Sequence, residues 1–184
     1  MNIANKLTIS RMLMVPVFMA AFYLPWAYWY WPAAILFVAA FATDMLDGHL
    51  ARSRNMVTNF GKFMDPIADK LLTMAALVML TARGNLSPIV AVIILAREFV
   101  VSGLRLVAAG SGRVIAAGWL GKAKTMLQFI MLLLFLLEPV LRALAGAGGA
   151  QVVLTIVTLL TVLITLWSGV DYIWSNRQFI NPRK

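Results

Sequence analysis

Cysteine is absent from the 184 residues, which excludes disulfides and thiolate metal sites and leaves the redox compartment open. Histidine occurs once, as His49, and only seven residues are acidic. Charged side chains make up 12% of the chain, about half the share of a soluble domain. Hydrophobic residues, by contrast, make up 62%. A chain this poor in charge reads as an all-α, polytopic membrane protein, because only elements that satisfy their own backbone can cross hydrocarbon. A cleavable leader is not expected: the first apolar stretch carries Pro16 and Pro25, and no small-residue cleavage site follows a short apolar core. Long linkers and tails are also lacking, so a single domain over 1–184 is expected.

Sixteen Lys and Arg residues against seven acids give a net charge of +9. In a soluble protein that balance would suggest nucleic acid. Here it belongs to membrane topology and to a phosphate-rich site, and no nucleic-acid partner is expected. Spans fall at roughly 7–27, 31–53, 60–83, 88–110, 119–138 and 150–175, each near the ~20 residues a crossing helix needs. Six crossings put both chain ends on one side. That side would hold Lys6, Arg11, Arg52, Arg54, Lys62, Arg105, Arg113, Lys122, Lys124, Arg177, Arg183 and Lys184, against Arg83 and Arg142 opposite. By the positive-inside rule the basic side is cytoplasmic.

Four of the seven acids, Asp44, Asp47, Asp65 and Asp69, crowd into one short stretch. On a helix, Asp44 and Asp47 lie about 60° apart on one face, and Asp65 and Asp69 about 40° apart on another. Two facing helices could aim four carboxylates at one point. Such anions would repel strongly in a medium of low dielectric unless cations join them. Hard divalent ions with oxygen ligands, Mg²⁺ or Mn²⁺, are the natural partners. The small residues Gly48, Ala51 and Gly61 would leave room for a ligand, and Arg52 could reach its phosphates. The outer halves of spans 2 and 3, Pro32–Thr43 and Leu71–Leu80, hold no charge. The carboxylates must therefore line a wet cavity open to the cytoplasmic face.

Asp44-Met-Leu-Asp47-Gly48-His-Leu-Ala51-Arg52, eight residues, then Gly61-Lys-Phe-Met-Asp65-Pro-Ile-Ala-Asp69 fills all eight fixed positions of D-x2-D-G-x2-A-R-x8-G-x3-D-x3-D. This resembles the signature of the CDP-alcohol phosphatidyltransferases. Flanking segments, Asn5-Lys-Leu-Thr8-Ile-Ser-Arg11, Ala96-Arg97-Glu98-Phe-Val-Val-Ser-Gly-Leu-Arg105 and Gly121-Lys122-Ala-Lys124-Thr125, are similar to those of the bacterial phosphatidylglycerophosphate synthases. The likeness runs from about Asn5 to Gln128; beyond it the chain matches only in being apolar.

The resemblance implies transfer of a phosphatidyl group from CDP-diacylglycerol to sn-glycerol 3-phosphate with release of CMP. It implies two metal ions held by Asp44, Asp47, Asp65 and Asp69, with Asp69 also taking the proton of the attacking hydroxyl. Gly48, Ala51, Arg52, Thr58 and Gly61 would hold the cytidine and phosphates of the CDP-lipid. A basic set, Arg97, Arg105, Lys122 and Lys124 with Arg11, suits an acceptor that already carries phosphate, since arginine grips it bidentately and lysine adds point charge. Inositol phosphate is the nearest rival acceptor. Relatives further imply a homodimer among membrane lipids, multi-pass in the bacterial inner membrane with its active site toward the cytoplasm.

Plainer readings stand beside these. The four aspartates could form a buried ion-pair network with Arg52, Lys62 and Lys70, although pairing alone would not require small residues on the same faces. The basic residues could serve topology alone. Glu98 reads as the partner of a neighbouring arginine, Asp171 as a local charge partner, His49 as a helix-interface or surface residue, and Asn5 and Thr8 as helix caps. A divalent-cation carrier is the alternative of another class.

Overall fold

The computed structural model describes residues 3–24, 29–53, 59–110, 115 and 118–177, and among these the side chains of all except 3–8, 11, 44–53 and 59–69. The described residues form six α-helices and no strand: α1 (Ile3–Ala21), α2 (Tyr30–Ser53), α3 (Asn59–Ala82), α4 (Pro88–Gly110), α5 (Trp119–Leu136) and α6 (Glu138–Ser175). The all-α expectation holds; α2 to α5 lie within two residues of the expected segments, whereas α1 ends at Ala21 instead of 27 and α6 begins at Glu138 instead of 150. By length and composition α5 and α6 can each cross a membrane, while Met12–Ala21, Tyr30–Thr43 and Lys70–Ala82 are shorter apolar stretches.

Turn chemistry sets several ends. After α3, Gly84 takes φ 76°, its N–H bonds to the Thr81 carbonyl at 2.9 Å, and the Asn85 N–H bonds back to the Leu80 carbonyl at 3.0 Å. This is a Schellman termination, which needs a residue that tolerates the left-handed region. Pro88 then opens α4, where its missing N–H is harmless. The connection expected between 138 and 150 is itself helical: α6 starts at Glu138, carries Pro139 in its first turn and bends at Gly146, where φ is 71° and ψ 169°. The glycines at 146–149 thus mark a kink rather than a loop, because the apolar residues on either side favour helix wherever backbone can be satisfied internally.

Helix α3 packs along α1, α4 and α5; α6 packs along α4 and α5; and α2 packs on α1 and α5. The core that joins them is aliphatic and aromatic, with Phe18, Phe37, Leu77, Leu80, Ile94, Leu132 and Leu136 nearly or fully buried. Alanines 33, 34 and 40 on the buried side of α2 are small enough to let neighbouring helices approach closely. Two polar clusters flank this core. At one end the Arg83 guanidinium lies 3.8 Å over the Trp29 ring and donates to the Phe22 carbonyl. There too Asn85 donates to Glu138, which also takes Arg142 at 2.6 Å. The other end holds the candidate site.

Candidate active site

Charged residues from four helices surround one cavity of about 710 Å³. Lys70 comes from the middle of α3, Arg97 and Glu98 from the middle of α4 and Arg105 from its second half, Lys122 and Lys124 from the first turns of α5, and Asp171 and Tyr172 from the last turns of α6. Alternating antiparallel helices bring these positions to one end of the bundle. Phe37 and Phe41 of α2 close another wall, Phe41 stacking on Phe129 of α5 with ring centres 3.9 Å apart. Leu77 and Leu132 line the cavity as well, so its polar lining passes directly into the apolar core.

Glu98 is the hub. Its carboxylate pairs with Lys124, with Arg97 at 3.4 Å and with Lys70 at 3.7 Å. The expected arginine partner is there, and two lysines join it. Lys124 is 1% exposed, and an ammonium so deeply placed needs a counter-charge. Lys70 also donates to the Ser102 hydroxyl, which itself donates to the Glu98 carbonyl one turn back at 2.6 Å. Arg97 threads between helices: a Cβ on Gly169 would stand 3.1 Å from its Cγ, and one on Gly121 3.8 Å from its Nη2. Its Nε is buried without a hydrogen-bond partner. Arg105 donates from Nε to the Tyr172 hydroxyl at 3.1 Å and lies 5.5 Å from the centre of that ring.

Four of the five residues expected to hold an acceptor phosphate, Arg97, Arg105, Lys122 and Lys124, therefore line a single space. The side chain of Arg11 lies outside the described residues. So do the side chains of Asp44, Asp47, Gly48, Ala51, Arg52, Gly61, Asp65 and Asp69, and the whole of Thr58. The backbone that carries the aspartates is helical, 44–53 closing α2 and 59–69 opening α3. Their spacings therefore fall on helix, as the signature requires. Among the described residues no group of acids or histidines could hold a metal. Four carboxylates on helical backbone are a donor set suited to hard divalent ions.

Some residues in or beside the cavity were not singled out from the sequence: Gln128 and Tyr172 line it, and Gly169 packs against the Arg97 stem, yet none of the three belongs to a fixed spacing. Asp171, read as a charge partner, borders the cavity and has no ion-pair partner among the described residues.

Comparison with known proteins is decisive at this point. The family model for CDP-alcohol phosphatidyltransferase matches residues 1–167. The chain belongs to the CDP-alcohol phosphatidyltransferase family. Among curated members, a Bacillus subtilis protein named CDP-diacylglycerol–glycerol-3-phosphate 3-phosphatidyltransferase is 40% identical, with 95% of each chain covered. A Rickettsia felis protein of the same name is 39% identical over 93% of each chain. A Mycobacterium tuberculosis protein named probable phosphatidylglycerophosphate synthase is 41% identical over 94% of this chain and 80% of its own. The resemblance drawn from the signature is thus upheld over nearly the full length. As a CDP-alcohol phosphatidyltransferase the chain is an enzyme, and its basic cavity must be read beside the signature helices.

Proposed function

We propose that this enzyme transfers the phosphatidyl group of CDP-diacylglycerol to sn-glycerol 3-phosphate, giving phosphatidylglycerophosphate and CMP. The observation that carries the reading is the convergence of Arg97, Arg105, Lys122 and Lys124 on one cavity, at the bundle end to which the intact signature belongs. An acceptor already bearing a phosphate explains so many cations beside a site built for a pyrophosphate. The names of relatives about 40% identical point to the same acceptor.

In this reading Gly48, Ala51, Arg52, Thr58 and Gly61 hold the cytidine and phosphates, and Arg11, Arg97, Arg105, Lys122 and Lys124 hold the acceptor. Asp69 accepts the proton of the acceptor hydroxyl as its oxygen attacks the β-phosphorus, and the bond to the CMP phosphate breaks in line. Asp44, Asp47, Asp65 and Asp69 would hold two divalent ions, Mg²⁺ or Mn²⁺, which when bound supply positive charge to the pyrophosphate. All six helices cross or enter the bacterial inner membrane, with the basic end at the cytoplasmic face. A lipid substrate and a water-soluble one can meet only at such a surface.

The test is CMP release by purified protein from CDP-diacylglycerol with a panel of acceptors. Glycerol 3-phosphate is expected to support turnover with inversion at phosphorus. Release with inositol phosphate or serine but not with glycerol 3-phosphate would overturn the acceptor, and a trapped covalent phosphoryl-enzyme would overturn the single displacement.

A further inference from the structure

The last turns of α6 carry no part of the signature, and Gly169 and Tyr172 both lie beyond residue 167, where the family match ends. Three residues apart on a helix, they share one face. Each meets a different arginine of α4. Tyr172 is 8% exposed, and its hydroxyl accepts the Nε–H of Arg105 at 3.1 Å while its ring stands 5.5 Å from the guanidinium carbon. One bond at Nε fixes the plane of a guanidinium and uses one of its five donors. Gly169 meets Arg97 by having no side chain, since a Cβ there would stand 3.1 Å from Cγ of the arginine stem. That is tighter than ordinary packing, so the arginine would have to move. Arg97 meanwhile keeps a buried Nε without a partner, a donor that a ligand could meet.

We propose that the Gly169–Tyr172 face of α6 is a positioning device that aims Arg97 and Arg105 into the cavity and so sets the enzyme's affinity for the acceptor's phosphate. The inference rests on the reading of that cavity as the acceptor site. Its physical content is preorganisation. A long, flexible side chain held in place before the ligand arrives loses less freedom on binding, and a bidentate grip depends on the plane being right. Neither residue belongs to the signature that would hold the reacting groups, and each acts through an arginine, so the effect belongs in acceptor binding and not in the chemical step.

The experiment measures kcat and separate KM values for glycerol 3-phosphate and CDP-diacylglycerol in Tyr172→Phe, Gly169→Ala, Arg105→Ala and the Tyr172→Phe/Arg105→Ala double variant. Tyr172→Phe keeps the ring and removes only the acceptor oxygen. It is expected to raise KM for glycerol 3-phosphate about tenfold, the scale of a hydrogen bond to a charged group. kcat and KM for CDP-diacylglycerol should stay within about twofold. Gly169→Ala should shift the same constant through Arg97. In the double variant the phenylalanine should add nothing to the loss caused by Arg105→Ala, because it acts through that side chain. If Arg105→Ala raises the acceptor KM and Tyr172→Phe does not, the positioning role is overturned and the acceptor cavity stands. If Arg105→Ala leaves the acceptor KM unchanged, both fall. Equal rises in the two KM values, or a drop in kcat alone, would mean a general structural role and would also overturn the proposal.

Discussion

Replacing Glu98 with alanine should destabilise the protein by about 3 kcal/mol, the lower end of what removal of one partner from a buried ion pair costs. The carboxylate is the shared counter-charge of Lys124, of Arg97 at 3.4 Å and of Lys70 at 3.7 Å. Without it three cations face one another, and Lys124, 1% exposed, loses the carboxylate it pairs with. The lower end applies because Glu98 keeps 17% and Lys70 27% of side-chain exposure, so part of the strain can relax toward solvent. For a chain of this length each kcal/mol lowers the melting midpoint by about 2–4 °C, so a drop of roughly 6–12 °C is expected. Thermal unfolding in detergent, followed by circular dichroism, reads it. The decisive control is Glu98→Ala/Lys124→Met, which removes both members of the tightest pair and fills the lysine's channel with an uncharged stem. It should regain most of the lost stability, since a buried pair replaced by apolar residues is often neutral. A single variant that loses less than about 1 kcal/mol, or a double variant no better than the single, would refute the assignment of Glu98 as hub.

Chelation of divalent ions should abolish CMP release, and Mg²⁺ or Mn²⁺ should restore it; activity that survives exhaustive chelation would remove the metal role of the four aspartates. Asp69→Asn should lower kcat by about 10²–10⁴-fold, the range for a lost general base, and a smaller loss would move the proton elsewhere. Gly146→Ala should cost about 2 kcal/mol in unfolding experiments, because φ is 71° there while no neighbouring atom would meet the new methyl group. Arg83→Ala should cost about 2 kcal/mol through loss of its stacking on Trp29 and its bond to the Phe22 carbonyl. Trp29 emission should change in the same variant and stay unaltered if that contact is incidental.

Helix positions were legible because apolar runs near membrane length, broken by Gly and Pro, leave the backbone few alternatives. The Gly84 termination and the Pro88 start follow directly from those residues. The part of α6 before its kink, residues 138–145, was not legible, since a glycine cluster reads equally as a loop and as a kink, and only packing on both sides decides. The site divided along similar lines. Fixed spacings exposed the aspartates, and a surplus of cations exposed Arg97, Arg105, Lys122 and Lys124, because charge in an apolar chain demands an explanation. Gly169 and Tyr172 escaped, for their role lies in what crosses from α4 to α6 and neither residue type is unusual in a membrane helix. The pairing of Glu98 with two lysines was half legible: a carboxylate beside an arginine suggests that neighbour, whereas Lys70 and Lys124 are remote in sequence and meet it only when α3 and α5 pack beside α4.

The packing also weighs against a divalent-cation path as the purpose of the acidic segment. From Lys70 to Arg83 along α3, and from Lys124 to Glu138 along α5, the polar ends stand about 20 Å apart at the helical rise. An ion crossing that distance needs oxygen ligands at successive steps. Between the two ends lie Leu77, Leu80, Ile94, Leu132 and Leu136, all fully buried, together with Phe37. Arg83 and Arg142, themselves cations, sit where such a path would emerge, engaged with Phe22, Trp29 and Glu138. A cavity that ends on hydrocarbon suits a reaction whose substrates enter and leave at one surface. Sealed vesicles bearing the purified protein should therefore show metal-dependent CMP release without metal uptake, and uptake proportional to protein would reverse the argument.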